Sequence, residues 1–310
     1  MADIKISIIG AGMVGATTAF CLLEAGLASE IMLVDIDREK AEGEAMDLQH
    51  GMSFVPPVRI LAGAVEDCKD SHIVIFAAGA NQSPGETRLD LAGRNVAILK
   101  EVLPTLQKVC PKTILLMVTN PVDVLTYAAL KLSGFSPEKV IGSGTVLDSS
   151  RFRQALSEHY GIDARSIHAY IVGEHGDSEV PLWSHSNIAG ALLDEIRSFR
   201  EVNREEIINS VKNAGYQIIE RKGATYYAIA LSVRRIVEAM LGDENSILPV
   251  SSLIEGQYDI RNVCLSLPCI INSNGRQKIL ELNISDDEKK ALQQSAGKLA
   301  QVIKGLGILS

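Results

Sequence analysis

A doubly wound parallel α/β sheet followed by an α+β unit is the architecture this sequence predicts, and three observations predict it. Short apolar, β-rich runs alternate with helical stretches through residues 1–143. The first of those runs empties into a glycine triplet, Gly10-Ala-Gly12-Met13-Val14-Gly15, that opens a helix. From Leu147 onward the alternation gives way to longer helices and consecutive β-rich segments, which sets residues 144–310 apart as a second unit.

Size and composition fit this. At 310 residues the chain suits one large or two ordinary domains. A hydrophobic content of 46% and a charged content of 22% are those of a globular protein. A net charge of −8 and a pI near 5.4 argue against nucleic acid or anionic membrane as partners. No apolar run is long enough to cross a bilayer, and no signal-peptide pattern is present. The five cysteines, Cys21, Cys68, Cys110, Cys264 and Cys269, are scattered, and neither they nor the six histidines show metal-ligand spacing. Free thiols in a reducing cytoplasm are expected, with no metal site.

In order, Ile4–Ile9 is a buried parallel strand by its apolar, β-rich composition. In the triplet after it, Gly10 serves the tight turn, Gly12 the close approach of a pyrophosphate, and Gly15 the packing of helix on strand. The helix, expected over Ala16–Ala25, turns its N-terminus toward the phosphates. A second strand, Ile31–Val34, ends in Asp35, about 20 residues beyond the last glycine. That carboxylate suits the ribose hydroxyls and repels a 2′-phosphate, so the expected cofactor is NAD rather than NADP. Strand, triplet, helix, strand and terminal acid in this order are far more specific than the triplet alone.

The alternation continues with helix 38–50, strands Arg59–Ala62 and Ile73–Ala77, a long helix over about 88–109, strand Thr113–Val118, helix 122–132 and strand Val140–Gly142. Ligand is expected at the carboxyl ends of the strands. Three polar loops stand there: Ala78–Arg88, Thr119–Asp123 and Gly142–Thr145.

In the second unit, Asp148–Leu156 opens a helix on which Asp148 and Arg151, three apart, share a face while Arg153 points largely elsewhere. A strand over Ile167–Val172 runs into the turn Gly173-Glu174-His175-Gly176. A histidine in a polar loop is usually solvated or structural, so His175 gains meaning only from its neighbours. If the strand persists, the spacing sends His168 and His175 to opposite faces. Glu205–Leu241 is largely helical with a break at Gly223. Ser246–Val250 and Asn262–Ile271 are strands, with Pro268 signalling an edge or a bulge. Asn274-Gly275 is a hairpin turn leading into Lys278–Leu282. A capping box, Ser285 to Glu288, opens a last helix that buries Leu292, Leu299 and Ile303.

These residues compose a hydride-transfer site. A carbonyl being reduced needs a proton donor near neutral pH, which is His175, and a carboxylate to fix its tautomer, for which Asp148 is the candidate. A substrate carboxylate needs a two-pronged cation, which Arg151 offers. Arg88, on a loop with Pro84 and Gly85, is placed to close over the substrate and polarise its carbonyl.

The chain also resembles the lactate/malate dehydrogenase superfamily, in its bacterial L-lactate branch, nearly end to end. The resemblance is carried by Gly10–Gly15, Ala80–Leu91, Val118–Asp123, Gly142–Asp148, Gly173–Asp177 and Lys222–Tyr227, all in the family's order. It implies a Rossmann-type NAD domain and reversible, fermentative reduction of pyruvate to L-lactate. It implies His175 and Asp148 as proton-relay pair, Arg151 as carboxylate holder and Arg88 as carbonyl polariser. Asn120 is implied to meet substrate or nicotinamide ribose, and Thr225 to line the substrate pocket. Cofactor contacts are expected at Gly10, Gly12, Met13, Val14, Gly15, Asp35, Gly79, Ala80, Asn95, Val118 and Asn120.

The residue matching Gln82 meets the substrate side chain in this superfamily, and malate-specific members carry arginine there. Burying a second carboxylate without a cation costs several kcal/mol, whereas neutral Gln82 suits a methyl group. A malate or longer-chain 2-hydroxy acid dehydrogenase is the runner-up, and an inactive NAD-binding sensor or structural protein the rival from another class. Ser83 departs from the lysine common at its place. The chain begins almost at its first strand, which implies that it lacks the N-terminal arm of animal relatives. Arg153 and His168 match positions that bind fructose 1,6-bisphosphate between subunits in many bacterial relatives, so an allosteric homotetramer is expected.

Overall fold

A computed structural model describes residues 3–80, 88–196 and 202–308. Its first unit runs β1 (Lys5–Ile9), α1 (Met13–Glu24), β2 (Glu30–Val34), α2 (Arg38–His50), β3 (Arg59–Gly63), β4 (Ile73–Phe76), α3 (Arg88–Val109), β5 (Ile114–Met117), α4 (Val122–Ser133) and β6 (Val140–Gly142). These strands are parallel in the order β3-β2-β1-β4-β5-β6. Successive side chains of a strand point to opposite faces. Ile6, Ile8, Leu33 and Ile75 accordingly join one core, while Ile9, Met32, Val34 and Phe76 join another. Both faces are covered, which is why the strands read as nearly unbroken apolar runs.

The second unit begins with α5 (Val146–Tyr160) and the short strands β7 (Ile167–His168), β8 (Ile171–Val172), β9 (Val180–Pro181), β10 (Asn187–Ile188) and β11 (Ala191–Leu192). It continues with α6 (Arg204–Lys222), α7 (Tyr227–Leu241), β12 (Ser246–Glu255), β13 (Arg261–Asn272), β14 (Gly275–Ile279) and α8 (Asp286–Gly305). The capping box at Ser285 and Glu288 is formed, and Leu292, Leu299 and Ile303 are buried.

Four expectations are corrected. Helix α1 starts at Met13 rather than Ala16, because Gly12 itself is the N-cap and Ala16 N–H already reaches the Gly12 carbonyl at 2.9 Å. The strand expected over Ile167–Val172 does not persist: β7 pairs with β10 and β8 with β9, in separate sheets. The argument from strand alternation between His168 and His175 therefore lapses. Pro268 lies in an interior strand rather than at an edge, although the pairing of β13 with β14 does shift register two residues on, between Ile270 and Ile271. The Pro268 carbonyl accepts Leu280 N–H at 2.8 Å, so the donorless nitrogen falls where β14 runs out. Strand β14 begins at Gly275, immediately after the turn, rather than at Lys278.

The two units share one sheet. Ser251 of β12 pairs with Gly142 of β6, so β12, β13 and β14 extend the six parallel strands into a nine-stranded sheet. One core joins Ile6 and Leu33 to Val172, Val250 and Leu292.

Candidate active site

The glycine loop is built as a dinucleotide cradle. Gly10 has φ +101°, and a Cβ there would collide with the Ala78 backbone. A Cβ on Gly15 would collide with the Gly10 carbonyl oxygen, which is the close helix–strand packing the triplet requires. A Cβ on Gly12 would meet nothing within 4 Å, so the space above it is open to a ligand. Met13 and Val14 stand in the first turn of α1, whose N–H groups have no intrahelical partner and face an anion well. Asp35 directly follows β2, with Oδ2 accepting Ala11 N–H at 2.7 Å and Oδ1 accepting Asp37 N–H at 3.0 Å. Its carboxylate is thus fixed beside the loop with lone pairs to spare for ribose hydroxyls. The residues present fit NAD.

Gly79 and Ala80 follow β4, and Val118 and Asn120 follow β5, at adjacent strand ends. Asn95 of α3 stands between these two loops. It is 1% exposed. Its Oδ1 accepts Ala80 N–H at 2.8 Å and its Nδ2 donates to the Asn120 carbonyl at 2.8 Å. Asn95 therefore ties the two loops together. The Asn120 side chain is exposed at the crevice.

At the other side of the crevice, α5 presents Asp148 almost completely buried. Its Oδ2 is 2.5 Å from His175 Nδ1, and its Oδ1 accepts Arg151 Nη1 at 3.0 Å. One carboxylate thus orients both the ring and the guanidinium, and the ring's Nε2 is left to give or take a proton. Burial opposes the charged imidazole, but the Asp148, Asp123 and Glu179 carboxyls outweigh it and hold His175 at about 9. Burial likewise opposes a charged Asp148, yet His175 and Arg151 keep its carboxyl below the usual carboxylate range.

The turn is braced from three sides. His175 N–H donates to Asp123 Oδ2 at 2.7 Å, and Glu174 N–H to Ser295 Oγ of α8 at 2.9 Å. Lys212 Nζ of α6 reaches the Asp177 carbonyl at 3.1 Å. Two of the carboxyls here, Asp123 and Glu179, had no role assigned from sequence. Asp123 is 2% exposed and pushed by burial to about 6. Glu179 is 5% exposed, and burial with the Asp148 charge pushes it to about 8. Its Oε1 has no hydrogen-bond partner among the described residues. The only sequence signal for either was an acid set directly beside apolar residues, Val122 and Val124 for one and Val180 for the other.

Thr225 sits half-buried in the link between α6 and α7 and makes no hydrogen bond among the described residues. Gln82 and the side chain of Arg88 lie outside the described residues. Arg153 and His168 come together away from the His175 turn, in a pocket lined also by Ser149, Tyr170, Leu248 and Pro249.

The profile of the lactate/malate dehydrogenase NAD-binding domain matches residues 4–142, and that of the family's alpha/beta C-terminal domain matches residues 145–306. The chain belongs to the lactate/malate dehydrogenase family. Within this family it is 54% identical over 309 residues to the L-lactate dehydrogenase of Acetivibrio thermocellus, covering 98% of each chain. It is 54% identical over 307 residues to L-lactate dehydrogenase 1 of Clostridium acetobutylicum, covering 97% of this chain and 98% of that one. The crystal structure of the minor L-lactate dehydrogenase of Enterococcus mundtii superposes with a TM-score of 0.95 at 39% identity, covering 98% of each chain.

Proposed function

We propose that this protein is an NAD-dependent L-lactate dehydrogenase that reduces pyruvate to L-lactate and runs reversibly. The observation that carries the reading is the Asp148 carboxylate held between His175 Nδ1 at 2.5 Å and Arg151 Nη1 at 3.0 Å. NADH in the Gly10–Gly15 cradle supplies the hydride. With a pKa of about 9, His175 is an imidazolium at neutral pH and gives a proton from Nε2 to the carbonyl oxygen of the substrate. Asp148 stabilises the charged ring and then holds the neutral one in the tautomer that can take the proton back. The remaining donors of the Arg151 fork take the substrate carboxylate. Arg88 polarises the carbonyl, Asn120 meets substrate or nicotinamide ribose, and Thr225 lines the pocket. Gln82 is the residue that meets the substrate methyl group.

Steady-state NADH oxidation with pyruvate, oxaloacetate and 2-oxoisocaproate tests the reading. Pyruvate is expected to lead by at least about tenfold in kcat/KM. Preference for either rival substrate, or turnover of none, would overturn it. Gln82→Arg is expected to move preference toward oxaloacetate, since a buried second carboxylate then has its cation.

The reading extends to a cytoplasmic homotetramer switched by fructose 1,6-bisphosphate. Five cysteines without a disulfide suit a reducing compartment. Phe20 on α1 and Leu231 on α7, two helices that pack together, are each more than half exposed and suit a subunit contact. Arg153 has no carboxylate at ion-pair distance among the described residues; its Nε reaches only the Ser149 carbonyl, at 3.3 Å. A basic group so placed beside His168 suits a phosphate.

A further inference from the structure

The pocket of Arg153 and His168 and the turn of His175 stand apart, and one residue bonds toward both. Ser149 is the fourth residue of α5 and is buried. A serine inside a helix commonly returns its hydroxyl to a carbonyl of that helix. Ser149 instead turns to β8: its Oγ accepts Ile171 N–H at 2.8 Å and donates to the Ile171 carbonyl at 3.4 Å. Thr145, one turn earlier, donates its own hydroxyl to the same carbonyl at 2.5 Å.

The pairing of β8 explains why hydroxyls are needed there. Leu182 N–H donates to the Tyr170 carbonyl at 2.9 Å, so by alternation the Ile171 peptide groups point away from β9. On that far edge Gly173 exchanges hydrogen bonds with Ser266 of β13, at 2.8 and 2.9 Å. Ile171 itself is buried and has no strand partner on that edge, and a buried peptide group left unpaired is costly. The two hydroxyls of α5 supply the partners. Val172, Gly173 and Glu174 then lead directly to His175.

The other end of the same residue meets the pocket. The Ser149 carbonyl accepts Arg153 Nε at 3.3 Å, and Ser149 lines the pocket with Arg153, His168 and Tyr170. A displacement of Arg153 thus reaches the site by two routes. Along α5 it moves Asp148, and across the Ser149 hydroxyl it moves the strand that carries the imidazole to Asp148. We propose that Ser149 is the coupling residue between this pocket and the proton-transfer site: its hydroxyl keys β8 to α5, so that displacement of Arg153 changes where His175 stands against Asp148. This deepens the effector reading and rests on it, as it rests on the lactate dehydrogenase reading of the crevice.

The test titrates oxamate, a pyruvate analogue that takes no hydride, into the NADH complex of full-length wild type, S149A, S149C and S149T, with and without fructose 1,6-bisphosphate. In wild type the bisphosphate is expected to tighten oxamate binding at least about fivefold. S149A and S149C are expected to bring that factor to within about twofold of one, with the Kd of the bisphosphate alone within about threefold of wild type. The thiol of S149C fills the space of the hydroxyl but bonds weakly, so a loss shared by both variants is the loss of the hydrogen bond and not of packing. S149T keeps the hydroxyl and is expected to keep the factor. A wild-type factor in S149A and S149C would overturn the proposal. A second arm needs neither effector nor substrate: the ring proton NMR signals of His175 in wild type, R153Q, S149C and the double variant. R153Q is expected to shift those signals in the wild-type background and to leave them nearly in place in the S149C background, where the route is cut. That result supports the role of Ser149 even if the bisphosphate leaves wild-type oxamate binding unchanged, which would sink only the effector reading. It does so equally if the protein reduces none of the three 2-oxo acids, which would sink only the dehydrogenase reading. Equal shifts in both backgrounds, or shifts in neither, overturn the role of Ser149.

Discussion

A proton donor serving a ketone must still carry its proton when the hydride is transferred, and the carboxyls around His175 arrange this. The same residues set how stability depends on pH. Asp123 rises from 3.8 to about 6 and Glu179 from 4.5 to about 8, so the folded chain binds protons that the unfolded chain has released. Stability from these groups therefore falls as pH rises through those ranges. His175, raised from 6.5 to about 9, acts in the same direction: its contribution is complete below 6.5 and lost through 9. Glu179→Gln removes the largest burden, an acid with an unpartnered buried oxygen. The thermal midpoint of that variant should exceed wild type by on the order of 2–4 °C at about pH 9, and by much less at about pH 5. Thermal unfolding at both pH values decides it, and an equal gain at both would exclude the titration of Glu179 as the cause. None of this was legible in the sequence. His175, Asp148 and Arg151 were, because helix spacing and the demands of a proton relay name the residue types. The burial of Asp123 and Glu179 depends on which distant elements close over them.

At the scale of the element, the glycine triplet shows how one short motif serves two demands that substitution can separate. Gly15→Ala puts a methyl group against the Gly10 carbonyl, inside the α1–β1 contact. It should cost about 1–3 kcal/mol of stability, as overpacking does. Gly12→Ala meets no protein atom within 4 Å, so its thermal midpoint should stay with wild type while NADH binding weakens at least about tenfold. Calorimetric melting and NADH fluorescence titration of the two variants check the division; a destabilised Gly12→Ala would refute it. The triplet was readable because local chain geometry dictates it. The break between β7 and β8 was not, because Ile167–Val172 has the composition of one strand and only its pairing partners, β10 and β9, divide it. The bonds of Asn95 were hidden for a similar reason: sequence puts it on α3 near the cofactor loops, and only the packed structure shows both ends of its amide taken.

The whole molecule has one sheet through both units and one helix, α5, that serves two places. The alternating first half was legible from its apolar periodicity, but the joining of β12 to β6 rests on a single pairing, Ser251 with Gly142, that no local pattern announces. On α5, Asp148 and Arg151 face the His175 turn, while Arg153 lines the pocket with His168. A helix of four turns moves as a unit, so an anion that shifts α5 at Arg153 shifts the carboxylate that orients the imidazole. If the bisphosphate binds the assembled form more tightly than the separated one, it raises the share of assembled, substrate-competent protein by its differential affinity alone. Pyruvate saturation should then tighten with fructose 1,6-bisphosphate, and sedimentation at low protein concentration should show larger particles in its presence. Arg153→Gln should abolish both effects. Identical saturation curves and unchanged particle size in the wild type would remove the regulatory role from this pocket.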